Sequence, residues 1–385
     1  MISNKNFYPE QYKSDDQYPI NHNYLHDQFK DIDVILNKVK SVAEKGDFTL
    51  GSAVDHFEKS FAEKNGAKYG VGVGSGTDAL FLSLKALGIG IGDEVITTPY
   101  TFFATIGAIV TAGAKPVFVD IDQSYNIDSR KIESAITSKT KAIMPVHWAG
   151  VPCNMDEINL IAEKNGLHVV ADACHAIMSQ YKGKGIASCA TASCFSMHPL
   201  KNLNVWGDGG IVLTNDKSLA DKLYKIRNHG LTDRDHCEEW SYNSRLDTIQ
   251  AVIAQYLLDY KIKNITSSRI SNAEYLDDAL SSLSQVVIPP RDTNLKSVFH
   301  LYIATYHNRD QLKDFLNKKG IDAKIHYPVP MHLQPAAKDL GHSAGDFPIT
   351  ESLCSNCLSL PIHEFITKDD LDYMVGCIKE FYADE

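Results

Sequence analysis

The chain has 385 residues, 44% of them hydrophobic and 22% charged, which is enough apolar material for a large core and for two packed regions sharing an interface. Its formal net charge of −10 comes without any Lys/Arg run, which argues against recognition dominated by phosphate-backbone contacts, so no nucleic-acid partner is expected. No apolar run approaches the roughly 18 residues of a membrane helix, and the opening segment MISNKNFYPEQYKSDDQYP lacks the basic-then-apolar plan of a secretory leader, so a cytoplasmic protein with no membrane partner is expected.

Residues 1–19 read as an arm. From about 50 to 215, short β-branched runs alternate with longer helical stretches, the pattern of a parallel sheet with right-handed helical crossovers. Strands are expected at 69–73, 94–97, 116–119, 141–146, 168–171, 194–197 and 210–213. Helices are expected at 77–87, 103–112, 129–135 and 155–165, several closed by glycine. A long helical pattern then runs from Leu246 to about Leu283, followed by mixed strands and helices. The expected organisation is therefore a large α/β domain over 20–255 with a mostly parallel seven-stranded sheet, and a smaller α+β domain over 256–385. Segment 323–334, AKIHYPVPMHLQ, is punctuated by prolines and is expected to be a surface loop. The eight cysteines read as reduced thiols; Cys354 and Cys357 have the spacing of half a zinc site, but nothing completes it, and no metal is expected.

Three segments carry chemistry. Gly70 to Leu80, GVGVGSGTDAL, is a strand running into a glycine-rich turn and then a helix, which offers free backbone N–H groups to a phosphate. Thr77 stands where a dinucleotide fingerprint needs glycine, and no Gly-Lys-Ser/Thr follows, so a monophosphate fits better; a tight packing turn is the plain alternative. Asp172 ends a hydrophobic strand and would project from the carboxyl edge of the sheet, where a carboxylate either meets a ligand or caps a helix. Lys201 lies between Pro199 and the Gly207-Asp-Gly-Gly turn; it is either a surface lysine or a constrained one made nucleophilic by desolvation.

Taken in order, Gly74-Ser-Gly-Thr-Asp-Ala-Leu80, Thr101-Phe102, Asp172-Ala-Cys-His175, Phe195-Ser196 with Pro199-Leu-Lys201-Asn-Leu, Gly207-Asp-Gly-Gly and Tyr242-Asn-Ser-Arg-Leu-Asp247 resemble the sugar aminotransferases called DegT/DnrJ/EryC1/StrS, over roughly residues 20 to 375. That resemblance implies a fold type I transferase dependent on pyridoxal 5′-phosphate, a homodimer with shared active sites, a keto-sugar acceptor, glutamate as amino donor and a place in cell-surface carbohydrate (lipopolysaccharide) biosynthesis. By the same resemblance Lys201 is the Schiff-base lysine, Asp172 meets the pyridine nitrogen, and His175 lies near the 3-hydroxyl. Gly76, Thr77 and Ser196 would hold the phosphate, Phe102 would stack on the ring, and Asn243 would reach the phosphate of the neighbouring subunit. Relatives that dehydrate sugars carry His in place of the lysine; Lys201 argues against that activity and against a non-catalytic binding role.

Departures at His147-Trp148-Ala149-Gly150 and Met197-His198 bear on the sugar. The lysine segment is more similar to the branch that aminates 8-oxo-3,8-dideoxy-manno-octulosonate, with a nucleotide-linked 3-keto or 4-keto deoxysugar as the alternative. An acidic acceptor would want a cation, for which Arg234, Arg245, Lys184, His326 and His332 are candidates, and His198 is a further candidate contact.

Overall fold

A computed structural model describes residues 18–22 and 24–383, so most of the expected arm, residues 1–17, lies outside the described residues. The large sheet has seven strands: β1 (Tyr69–Val73), β2 (Glu94–Thr97), β3 (Lys115–Phe118), β4 (Thr140–Ile143), β5 (His168–Asp172), β6 (Ala192–Ser196) and β7 (Gly210–Thr214). Their order is β1-β7-β6-β5-β4-β2-β3, and all neighbours pair in parallel except β7, which runs antiparallel to both β1 and β6. The exception has a local cause. No helix separates β6 from β7; the lysine-bearing loop returns the chain directly, and a return without a crossover places the next strand antiparallel.

Side chains alternate between two cores. Ile96, Ile143, Val169, Phe195 and Ile211 belong to one, and Val95, Ala142, Val170, Cys194 and Val212 to the other, which is the period-2 alternation of strands buried on both faces. Helices Phe103–Ala112 and Met155–Asn165 match the expected bounds, each followed by a left-handed glycine, Gly113 at φ 95° and Gly166 at φ 63°. The third strand starts one residue earlier than expected and tolerates Pro116 because it is a sheet edge. The fourth stops at Ile143, before Pro145, which has no N–H to give a ladder. The expected helix at 129–135 is one α-helical turn, Ser129–Ile132, continued as 3-10.

The long helical pattern divides at Lys261 into Thr248–Tyr260 and Ile262–Leu280. Beyond it, strands Val286–Val287, Tyr302–Tyr306 and Cys357–Leu360 form an antiparallel sheet with a core of its own, including Tyr302, Leu312, Leu358 and Met374. Ile20 belongs to that core and bridges to Ile321. Segment 323–334 is not the surface loop expected: Ala323, Met331 and His332 are buried, Met331 N–H donates to Pro99 O at 2.9 Å, and Tyr100 Oη donates to His326 O. Those bonds pull the loop against the large sheet's carboxyl edge. No described helix is long and apolar enough to cross a membrane.

Candidate active site

Above the carboxyl ends of β1, β5 and β6 lies a cavity of about 430 Å3. The fold explains why its parts meet. Central strands bring their last residues to one edge, and the loops that follow carry the polar groups.

Ser75 caps helix Gly76–Ala86 by accepting from Asp78 N–H at 3.1 Å, leaving the first turn of that helix open to the cavity through Gly76 and Thr77. The turn is clamped. A Cβ on Gly76 would stand 2.6 Å from Ser196 Cβ, and one on Gly210 would stand 2.1 Å from Ser75 O. Ser244 Oγ supports it from behind, accepting from Gly74 N–H at 3.0 Å and donating to Asp78 Oδ2 at 2.9 Å.

Asp172 ends β5, and its oxygens accept from Thr105 Oγ1 at 2.7 Å and from Cys174 N–H at 3.1 Å. Lys201 follows the β6 end; its N–H donates to His198 O at 2.8 Å and its carbonyl accepts from Tyr24 Oη at 3.3 Å. The adjacent Asn202 donates to Val298 O at 3.1 Å and pairs with His300 Nδ1 at 3.2 Å, which ties the lysine loop to the C-terminal half. Burial pushes the Lys201 ammonium below its ordinary value, partly offset by Cys174 and Asp172. His175 is driven well below the ordinary histidine range, first by burial and then by Lys201, so it is neutral at physiological pH; its Nδ1 is buried without a partner. Trp148 and His300 flank it at ring separations of 5.1 and 4.2 Å.

Of the residues singled out from sequence, Gly76, Thr77, Phe102, Asp172, His175, Ser196, His198, Lys201 and His326 line this cavity. Asn243, Arg234, Arg245, Lys184 and His332 do not. Asn243 and Arg234 are exposed, Arg245 donates to Asn228 Oδ1 at 3.0 Å, and Lys184 sits in a short hairpin. His332 turns away into the core and pairs with Glu351 at 3.0 Å. Sequence reading passed over His22, Tyr24, Arg269, His300 and Lys324, all of which line the cavity. Only Lys324 lay inside a segment already marked, AKIHYP.

An α/β chain that closes a phosphate-sized turn, a strand-end carboxylate and a desolvated lysine into one cavity has the site expected of a pyridoxal-phosphate enzyme. The relationship is closer than class: the model of the DegT/DnrJ/EryC1/StrS aminotransferase family matches residues 30–379, and the chain belongs to that family. It is 41% identical over 90% of its length to a pleiotropic regulatory protein of Geobacillus stearothermophilus, covering 94% of that protein. It is 39% identical to the UDP-N-acetyl-3-dehydro-alpha-D-glucosamine 3-aminotransferase of Acidithiobacillus ferrooxidans, covering 90% of this chain and 93% of that one. Among solved structures, DesV of S. venezuelae in complex with a ketimine intermediate superposes with a TM-score of 0.92 at 34% identity, covering 94% of this chain and 98% of that one. The fold is thus the expected fold type I.

Proposed function

We propose that the protein moves the amino group of glutamate to a nucleotide-linked keto sugar, with pyridoxal 5′-phosphate as cofactor and Lys201 as the reacting amine. The observation that carries this reading is the enclosure of Lys201 in the same cavity as Asp172 and the Gly76–Thr77 turn. The residues present fit the cofactor. The helix start and Ser196 offer donors to a phosphate, Asp172 has lone pairs left for a ring nitrogen, and His175 Nδ1 is an orphaned buried atom. Phe102, 46% exposed, leaves a ring face open to stack on.

When bound, the cofactor supplies an aldehyde carbon that takes up amines and a protonated ring that draws electron density from the reacting carbon. Asp172, held by two hydrogen bonds, supplies the negative charge that keeps such a ring protonated. Lys201, whose hold on its proton burial weakens, is suited to take a proton from the donor's α-carbon and return it at the neighbouring position. A neutral His175 adds no charge that would hold the lysine or the substrate in the wrong state.

The Acidithiobacillus relative is named for a UDP-linked keto sugar, which favours the nucleotide-linked acceptor. No such support attaches to the octulosonate expected from the lysine segment, and that acceptor gives way to its alternative. Asn243 is exposed and outside its own chain's cavity, as a residue serving a second copy's phosphate would be, so we take the working form to be a homodimer. Separate cores for the two sheets support a two-domain division, but Tyr256, Leu257, Leu258 and Ile262 pack with the large-sheet core, so we propose a boundary after residue 262 rather than at 255. In the test, purified protein with cofactor should show a visible absorbance band that glutamate bleaches and a UDP- or dTDP-linked keto sugar restores. Restoration by the octulosonate alone would reverse the choice of acceptor, and a Lys201→Ala protein that still turned over would reject the mechanism.

A further inference from the structure

Three cationic side chains and a set of imidazoles line the cavity of this acidic chain. Among the described residues lining it are Lys201, Arg269, Lys324 and six histidines, against only Asp172 and Asp208. Some of this charge is already committed. Arg269 Nη1 donates to the carbonyls of Phe299 and His300, each at 3.2 Å, and its Nε faces Glu364 at 3.8 Å.

Lys324 is differently placed. Its ammonium lies 3.1 Å from Asp322 Oδ2, the same oxygen that accepts from His22 N–H at 3.1 Å, so one carboxylate fixes both residues side by side. An ammonium has three donors, and Asp322 accounts for one. His22 Nδ1 is buried with no hydrogen-bond partner, an arrangement that costs free energy until something supplies one. His22 and His326 stand 5.6 Å apart, ring to ring. His326 lines the same cavity as Lys201, Lys324 and His22.

We propose that Lys324 and His22 form a carboxylate subsite in the cavity that holds the reacting lysine. The inference rests on Lys201 being the reacting amine. Two molecules could present that chemistry: the donor, through glutamate's second carboxylate three carbons from its amine-bearing carbon, or an acceptor that is itself a sugar acid, with its carboxylate a few bonds from the ketone. Either would be recognised by Lys324 as the cation and His22 as the neutral donor, with Asp322 holding both in register.

The experiment titrates the cofactor-loaded protein by calorimetry with glutarate against butyrate, and with UDP-glucuronate against UDP-glucose. In the native protein the dicarboxylate glutarate, the sugar acid UDP-glucuronate, or both bind tighter than their counterparts by about tenfold or more, the size of one charge-assisted hydrogen bond. Lys324→Met removes that preference and Lys324→Arg keeps most of it; His22→Leu, read in the same way, weakens it. Loss of the glutarate preference assigns the subsite to the donor, and loss of the glucuronate preference assigns it to a sugar acid. Absence of both preferences in the native protein, or their survival in Lys324→Met and His22→Leu, overturns the proposal. The glutamate-bleached absorbance of the native protein is recorded alongside, so that failure of the aminotransferase reading is seen separately.

Discussion

Thr105 donates a 2.7 Å hydrogen bond to Asp172 and accepts one of 2.6 Å from Thr101, which makes a directed chain of two hydroxyls ending on the carboxylate at the tip of β5. The direction follows from the acceptor. An ionised carboxylate has no proton to give, so Thr105 spends its own on Asp172 and must take Thr101's.

The first prediction removes that donor while keeping the shape. Thr105→Val leaves one Asp172 oxygen without its hydroxyl partner, a loss of about 1.5–3 kcal/mol for a bond to a charged group. Cofactor affinity should fall roughly tenfold or more, with Thr105→Ser close to native. Equilibrium titration of the apoprotein, followed by visible absorbance, checks it; an unchanged affinity in Thr105→Val would show that the hydroxyl chain does not govern Asp172.

A second prediction concerns pH. Only the neutral amine of Lys201 captures an aldehyde, and burial lowers its pKa from the ordinary 10.5 while Cys174 and Asp172 raise it. Capture of pyridoxal phosphate by the apoprotein should therefore rise with pH and level off below the value for a free lysine, with the rate falling about tenfold per unit on the acid side. Asp172→Asn removes a charge that holds the proton on, so the midpoint should move further down. A midpoint that moves up, measured by stopped-flow from pH 6 to 10, would contradict the assigned causes.

What the sequence disclosed and what it hid divide along physical lines. Lys201, Asp172, Ser196 and the Gly74–Leu80 turn were legible because they fall in short ordered motifs that carry the family resemblance, and helices Phe103–Ala112 and Met155–Asn165 were legible from apolar period and terminal glycine. His22, His300 and Lys324 were not. Each is one polar residue brought in from a distant part of the chain by tertiary packing, with no periodicity to mark it. Residue type alone misdirected in the other direction: His326 and His332 share one proline-rich segment, yet the first lines the cavity and the second pairs with Glu351 in the core.

A third prediction uses Gly210, at the start of β7. Its missing Cβ makes room for the Ser75 carbonyl, and a methyl there would stand 2.1 Å from that oxygen and 2.9 Å from Gly76 N. Both are backbone atoms and cannot swing aside as a side chain would. Gly210→Ala should displace the turn, weakening cofactor retention by about tenfold or more alongside a destabilisation of about 1–3 kcal/mol for overpacking. Apoprotein titration and thermal melting test the two effects together; loss of stability with unaltered cofactor affinity would separate the turn from phosphate binding.

The last prediction lies beneath the site, in a buried pair that joins three elements. Glu58, from helix Ser52–Lys64, and Arg227, at the end of helix Lys217–Ile226, form an ion pair with side chains only 5% and 6% exposed. Both also hold Gly72 of β1: Glu58 Oε1 accepts from its N–H at 2.7 Å, and Arg227 Nη1 donates to its carbonyl at 2.8 Å. Removing one charge leaves the other buried and uncompensated, so Glu58→Ala should cost about 3–5 kcal/mol. Replacing both with apolar side chains, Glu58→Leu with Arg227→Met, removes that penalty but still strands the Gly72 backbone groups, each worth about 1–3 kcal/mol when left unsatisfied. The double variant should therefore be more stable than Glu58→Ala, yet less stable than the native protein, when the three are compared by urea unfolding. Since Gly72 leads directly into the Gly74–Thr77 turn, the residual loss in the double variant should be accompanied by weaker cofactor retention. A double variant as unstable as Glu58→Ala would mean that the backbone bonds to Gly72, rather than the stranded charge, dominate the cost.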